Sequence, residues 1–396
     1  MRRRIPVETC VAVLAFCFVW IAFGSQMVSS SRQHDFLNLY TGASLALQGD
    51  FASLHSSAAQ FARERQFVPD LPALVPFVRP PFYALLLAPL ALLPFGIAFW
   101  VWLAAQTLLL LGCWAWAFLQ WGPDALIFGA LFLPTALGIG SGQDCVVLLA
   151  ILIATYSLSE KGHSVASGLA LGLGLIKFHL FLLWPLALIV QKRWRVLLGV
   201  CISITIELLV SLGLSGPDGL RAYVDLLRNK HIERLSPSPE LMINIHSLAL
   251  NLGIFSLVFR ACLIAFVAAL VIAASRRAPL WRCMAAASIG SLLVPPHVYG
   301  YDAALMLLSV WLCIFMSSDR WTRIVATLVC TPIPYLANLG GSPWAAAAPL
   351  SLLVLLLMLS RPASGKDIPG ALTSSESSIP DVRREVPRLA ETHPLV

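Results

Sequence analysis

Charge is scarce in this sequence. Asp, Glu, Lys and Arg make up 12% of its 396 residues, against about 25% in an ordinary soluble domain. With 58% hydrophobic residues and a mean hydropathy of +0.81, the composition excludes a soluble enzyme and points to a polytopic membrane protein. Cys-x-x-Cys pairs are missing too. The nine cysteines lie almost entirely in or beside apolar runs and read as small buried hydrophobes, which sets disulfide frameworks and thiolate metal sites aside. The outer loops contain no Asp-x-Asp pair, so no obligatory metal is expected, and no cofactor. No repeat of fixed period occurs. The net charge of +7 is modest and belongs to loops that meet lipid headgroups, with no nucleic-acid partner expected.

What is present is a series of apolar runs. They cover approximately 9–28, 95–121, 125–140, 144–158, 164–176, 178–190, 196–214, 248–274, 283–294, 301–316, 322–338 and 344–360. These predict an all-α protein of about twelve transmembrane helices, several shorter than the roughly 20 residues of an upright crossing. Residues 81–94 are apolar but broken by prolines, and are expected to dip into the membrane or lie at its interface. The Met1–Arg4 start followed by an apolar run has no convincing small-x-small cleavage site, and reads as a signal anchor. With the N-terminus in the cytoplasm, twelve Lys and Arg residues fall on the inner side, including Lys161, Lys192, Arg193, Arg276 and Arg320. The short outer connections hold only Lys177, as the positive-inside rule requires. The membrane domain is expected over 1–360, with long outer loops at about 29–94 and 215–247. The Pro- and Ser-rich stretch 361–396 reads as a disordered cytoplasmic tail.

This topology gathers the unusual polar residues on the outer side. They are Asp35, the Gln143-Asp144 pair, Lys177 and His179, Asn244 and His246, then His297, Tyr301 and Asp302. Ionisable groups beside hydrocarbon are costly and carry a function or a partner. Each also has a plainer reading. Asp35 is a helix cap for an amphipathic helix over 36–48 that Gly49 ends. Lys177 is a snorkelling lysine. Gln143, Asp144, Tyr301 and Asp302 are helix starts, and His55 and His163 are solvated. A carboxylate, a histidine and a lysine at one level suit phosphate binding and proton transfer. A transporter or lipid flippase is the rival reading, but it predicts ionisable groups near mid-span.

The ordered pieces resemble the glycosyltransferase 87 family of bacterial polyprenyl-phosphate-dependent mannosyltransferases, which have the GT-C fold. They are His34-Asp35 with the helix to Gly49; Arg79-Pro80-Pro81-Phe82 with Pro89 and Leu93-Pro94; Gly142-Gln143; Gly168 through Gly174 to Lys177; and Pro296-His297 with Tyr301-Asp302. The resemblance implies an inverting hexosyltransferase of the bacterial plasma membrane with its site on the outer side. Its donor would be polyprenyl-phosphate mannose and its acceptor a glycolipid or other glycan. Asp35 matches the catalytic aspartate, and His297 a histidine that shares proton transfer. Lys177 and Gln143 match positions near the donor phosphate. Arg79 and His179 are assigned to the donor phosphate as well, and Tyr301, Asp302, Asp144 and His246 to substrate. At position 144 many relatives carry Asn, so the role of Asp144 is a departure. Residues 50–78 match nothing in the pattern.

Overall fold

The computed structural model describes residues 35–228 and 238–362. The first expected span, 9–28, the His34 of the first motif and most of the expected tail lie outside these residues. Among the described residues every regular element is helical. Four helices are long and apolar enough to cross a membrane: Phe95–Trp121, Ser164–Phe181, Trp194–Arg228 and Leu257–Ser275. Shorter apolar helices pack among them, including Cys145–Glu160, Leu280–Leu293 and Gly300–Met316.

Helix α1 (Asp35–Leu47) is followed by α2 (Ser57–Phe67) and α3 (Pro81–Leu87), which passes into a 3-10 turn at Ala88–Leu92. Gly49, with φ +73°, closes the first helix, as its position predicts. The expected amphipathic face does not exist. Ten of the 13 residues of α1 are buried, because α1 is wedged against α3 and against aromatic residues of α4 (Phe95–Trp121). Phe36 alone meets Phe95, Phe99 and Trp102 at centroid distances of 5.7, 5.5 and 6.5 Å.

Proline and glycine decide where the apolar runs break. The run 125–140 becomes α5 (Asp124–Leu131) and α6 (Leu133–Gly140), because Pro134 has no N–H to donate into a continuous helix. After α7 (Cys145–Glu160), α8 (Ser164–Gly172) continues as a 3-10 helix over Leu173–Phe181, broken at Lys177 (φ −130°, ψ 62°). Helix α9 (Trp184–Val190) starts at the next proline, and α10 (Trp194–Arg228) follows. The first part of the expected outer loop 215–247 is helical. The helical path breaks at Gly216 (φ +67°), ahead of Pro217, and a second helical segment runs on to Arg228. Gly219, Tyr223 and Leu226 recur at helical spacing on its buried side, so the segment has a packed face despite its charges. The remaining helices are α11 (Ile245–Asn251), α12 (Leu257–Ser275), α13 (Leu280–Leu293), a 3-10 turn at Gly300–Met306 leading into α14 (Leu307–Met316), α15 (Arg320–Cys330), α16 (Ile333–Leu339) and α17 (Ala347–Ser360).

Glycine sets one close approach that matters for the site. A Cβ on Gly168 would lie 2.0 Å from the Val196 carbonyl oxygen, and one on Gly172 would lie 2.3 Å from Ser203 Cβ. Small residues at four-residue spacing let α8 and α10 touch backbone to backbone, and the paired numbering makes the two helices parallel. Gln191 then donates to the Ser275 and Ala278 carbonyls at 3.2 and 2.9 Å, so α9 has returned to the end from which α8 left. The chain therefore reverses in the stretch that starts at Lys177.

Two ends follow. At one, the turns after α4, α9 and α12 gather with the end of α17. There Trp121 stacks on Phe315 at 5.3 Å and Arg282 Nε donates to the Leu359 carbonyl at 2.7 Å. Lys161, Lys192, Arg195, Arg276, Arg277, Arg320 and Arg323 are exposed in or beside the turns of this end. At the other end meet the start of α1, the α6–α7 turn, Lys177 and the start of the Gly300–Met306 turn.

Candidate active site

Four short pieces of backbone build the site. The first is the turn Gly140-Ser141-Gly142-Gln143-Asp144. Gly142 has φ +75°, and a Cβ there would stand 2.7 Å from Phe36 Cβ, so only glycine fits without displacing the start of α1. Trp102 Nε1 donates to the Gly142 carbonyl at 2.8 Å, and the Gln143 amide donates to the Gly138 carbonyl at 2.9 Å. The turn is thereby fixed with Gln143 and Asp144 facing inward. The second is the extended segment before α3. Gln60 holds it by accepting from the Phe77 amide at 2.8 Å and donating back to the Phe77 carbonyl at 3.3 Å. Arg79 projects from this segment. The third is the helix break at Lys177. The fourth is the 3-10 turn at Gly300, where Asp302 accepts from the Tyr299 amide at 3.0 Å.

The four pieces converge on a buried group of two cations and two carboxylates. Arg79 Nε donates to Asp144 Oδ2 at 3.0 Å and its Nη2 to Asp144 Oδ1 at 3.2 Å, a two-pronged grip that suits a planar guanidinium. Lys177 Nζ lies 3.1 Å from Asp144 Oδ1, 2.9 Å from Asp302 Oδ1 and 3.0 Å from Gln143 Oε1. Cys145 Sγ is 3.5 Å from the same ammonium and 3.6 Å from Asp302. Asp144 is fully buried, and Asp302, Lys177 and Arg79 are nearly so. A lone buried charge costs several kcal/mol; here each charge has an opposite partner within hydrogen-bond distance, and the group as a whole is neutral. Burial works against ionisation of Asp144, but Arg79 and Lys177 together outweigh it and hold its carboxyl below the usual carboxylate range.

The two cations differ in what they have left to offer. An ammonium has three N–H donors, and Lys177 faces three protein oxygens within 3.1 Å. Its donors are spent. Arg79 uses Nε and Nη2, the latter also reaching Gln143 Oε1 at 3.4 Å. Its Nη1 arm makes no hydrogen bond among the described residues.

The structure brings together most of the residues singled out from sequence. Arg79, Gln143, Asp144, Lys177 and Asp302 form the charge cluster. Tyr301 presents its ring to Lys177 at 5.6 Å. Asp35 is the first residue of α1 and lies within electrostatic reach of Tyr301; a carboxylate in the first turn is favoured by the helix dipole. His179 is within electrostatic reach of Asp302, Lys177, Arg79 and His297. His297 is exposed, edge-on to Tyr299 at 5.0 Å, and Tyr299 in turn meets Tyr301 at 5.6 Å. Asp35 and His297 thus flank a run of two tyrosines. Arg260 of α12 lies 2.6 Å from Nδ1 of His246. The His246 helix is tied to the His297 turn through Asn244 Nδ2 donating to the Pro295 carbonyl at 2.8 Å.

Other site residues were not singled out. Cys145 reads in sequence as a small buried hydrophobe, and Trp102 and Tyr83 carry no local signal, yet Tyr83 is buried within electrostatic reach of Arg79 and Asp144. His55 is not solvated; it is 4% exposed and bonded to the Arg79 carbonyl. One signal was available in the unmatched stretch. Gln60 and Glu64 stand one turn apart on α2, both fully buried, and such a pair on one helix face points inward for a reason.

A family model described as Glycosyltransferase family 87 matches residues 77–296, more than half of the chain. The chain belongs to glycosyltransferase family 87. No curated protein and no solved structure matches it. Membership makes it a glycosyltransferase with a sugar donor and an acceptor, and its apolar helices make it a membrane protein. The matched stretch begins two residues before Arg79 and ends one residue before His297. Asp35, His297, Tyr301 and Asp302 lie outside it and join it in space, Asp302 through its 2.9 Å contact with Lys177.

Proposed function

We propose that this glycosyltransferase moves a hexose, with mannose as the first candidate, from a polyprenyl-phosphate donor to an acceptor hydroxyl, with inversion. The reaction takes place on the outer face of a bacterial plasma membrane, on a GT-C-type helical frame. The observation that supports this reading is the neutral charge cluster at the bundle end opposite the exposed basic turns. Basic turns mark the cytoplasmic side, and a lipid donor presents its phosphate at the membrane boundary.

In this mechanism the acceptor hydroxyl gives its proton to Asp35, with His297 sharing the transfer through the tyrosine run. The acceptor oxygen attacks the anomeric carbon as the bond from that carbon to the phosphate oxygen breaks. A single displacement inverts the configuration. The lipid phosphate leaves with one more negative charge, which the Nη1 arm of Arg79, with His179 and Gln143 beside it, stabilises. Lys177 acts at one remove: it fixes Asp144 and Asp302, and Asp144 fixes Arg79. Tyr301 forms a wall for the sugar, and His246 lies on the acceptor side. The acceptor is a glycolipid or other glycan.

The test is to incubate membranes holding the protein with polyprenyl-phosphate sugars and candidate acceptors, and to follow transfer by mass spectrometry. Sugar-extended acceptor together with free polyprenyl phosphate is the expected result. Transfer from a nucleotide sugar alone would overturn the donor assignment. Movement of donor across the membrane without transfer would favour the flippase.

A further inference from the structure

The segment that carries Arg79 is held at its backbone as well as at its side chain. His55 lies 24 residues upstream, in the loop between α1 and α2, and is 4% exposed. Its Nε2 is 2.9 Å from the Arg79 carbonyl oxygen. A carbonyl only accepts, so Nε2 carries the proton and donates. The same ring stacks on Phe77 at 6.3 Å and 25°, and packs on Tyr223 at 4.7 Å. Tyr223 is buried on the limb of α10 beyond the Gly216 bend. No proton-transfer or phosphate-binding role uses His55, since its Nδ1 is buried without a hydrogen bond and its Nε2 is committed to backbone.

We infer that His55 is a positioning residue of the transfer site: it fixes the Arg79 backbone from behind and ties it to the outer limb of α10 through Tyr223. The inference rests on the reading that Arg79 meets the donor phosphate. The physical case is geometric. Asp144 grips one side of the guanidinium, so the direction of the free Nη1 arm depends on where the backbone holds the other end of the side chain. A displacement near 1 Å at a positioning group costs on the order of a hundredfold in rate. His55 supplies the backbone anchor, and Tyr223 sets the plane of its ring. The outer limb and the site are thereby one mechanical unit.

Two variants of the full-length protein separate the hydrogen bond from the packing. His55→Phe keeps a flat ring against Tyr223 and Phe77 but has no N–H; His55→Gln keeps a donor of similar reach. Hydrogen–deuterium exchange of the peptide spanning residues 77–83 reads the anchor without reference to any reaction. Exchange there is expected to quicken roughly tenfold in His55→Phe, through local opening, and to return toward wild type in His55→Gln. Tyr223→Ala should produce the same quickening, and the double variant His55→Phe/Tyr223→Ala no more than either alone, as coupled residues do. Affinity for polyprenyl phosphate, the sugar-free lipid that bears the full leaving-group charge, should fall roughly tenfold in His55→Phe, and kcat should fall more than the donor KM rises. Unchanged exchange in folded His55→Phe overturns the inference. Quickened exchange with wild-type affinity overturns it too, by reducing His55 to a backbone tether. If the wild-type protein itself does not bind polyprenyl phosphate, the donor reading fails, and the exchange result still decides whether His55 anchors Arg79.

Discussion

The two ends of the bundle carry the same kinds of charged residue under opposite rules. At the basic end Lys161, Lys192, Arg276, Arg277 and Arg320 stand exposed. Exposed charges of this kind each contribute little to stability, and in the proposed topology they mark the cytoplasmic side. At the site end Arg79 and Lys177 are buried and are held by Asp144 and Asp302 at 2.9 to 3.1 Å. There a charge is tolerated only because of its partner. Composition counts both kinds alike; burial separates solvated charges from paired ones.

The sharpest way to break this contrast is to remove one charge at the site end. Lys177→Met leaves Asp144 and Asp302 with Arg79 as the one nearby cation among the described residues, and should cost about 3–5 kcal/mol of stability, read as a lowered unfolding temperature in detergent. Lys177→Arg should restore little, because a planar fork does not match three oxygens around one nitrogen. Wild-type stability in Lys177→Met would show that the buried group is not interdependent. A smaller effect is expected at the turn that joins the cluster to Asp35. Gly142→Val meets both a positive φ and the 2.7 Å approach to Phe36, and should cost about 2 kcal/mol with a loss of transfer exceeding the loss of stability. Transfer that falls only in step with stability would mean the turn is mere scaffold.

Outside the cluster, Glu64 and His55 give the protein a pH signature. Burial pushes the Glu64 carboxyl up from 4.5 to about 7. The folded state then holds more protons than the unfolded chain, so this contribution is complete below 4.5 and is lost as pH rises to about 7. Burial pushes His55 down from 6.5 to about 4; its contribution is present above 6.5 and is lost as pH falls toward 4. Glu64→Gln should remove the first loss, worth about 3 kcal/mol at most, and leave the second, so that unfolding temperature rises with pH between 4 and 7. A profile identical to wild type would refute the assignment. The smallest effect belongs to the basic end: Arg320→Ala and Arg323→Ala should change stability by less than about 0.5 kcal/mol and leave transfer unchanged in detergent. A large loss from either would erase the contrast between the ends.

Much of the site was legible as local chemistry. Gly49 after a helix, the Gly142-Gln143-Asp144 turn, the interruption at Lys177 and the start at Tyr301-Asp302 are all short-range signals, and all stand where the patterns put them. Their pairing was not legible. Arg79 reaches Asp144 across 65 residues and Lys177 reaches Asp302 across 125, and no periodicity encodes a contact at that separation. The resemblance puts Lys177 near the donor phosphate, and three protein oxygens surround its ammonium. Arg79, with its unused Nη1, is the cation left to offer a hydrogen bond. The limb beyond Gly216 was missed because a proline and several charges resemble a loop, although Gly219, Tyr223 and Leu226 already lay on one helical face. His55 was missed because a lone histidine in an unmatched stretch has no local pattern, and its two neighbours, the Arg79 carbonyl and Tyr223, are distant in sequence.

The central claim is that sugar leaves a polyprenyl phosphate at the paired-charge end, with Asp35 taking the acceptor proton. The most direct measurement is single-turnover transfer by Asp35→Asn beside its affinity for the polyprenyl-phosphate donor. The account predicts donor affinity and unfolding temperature close to wild type, with transfer slowed by about 10²–10⁴-fold, the range for loss of a general base. Transfer at the wild-type rate by a folded Asp35→Asn protein would contradict it.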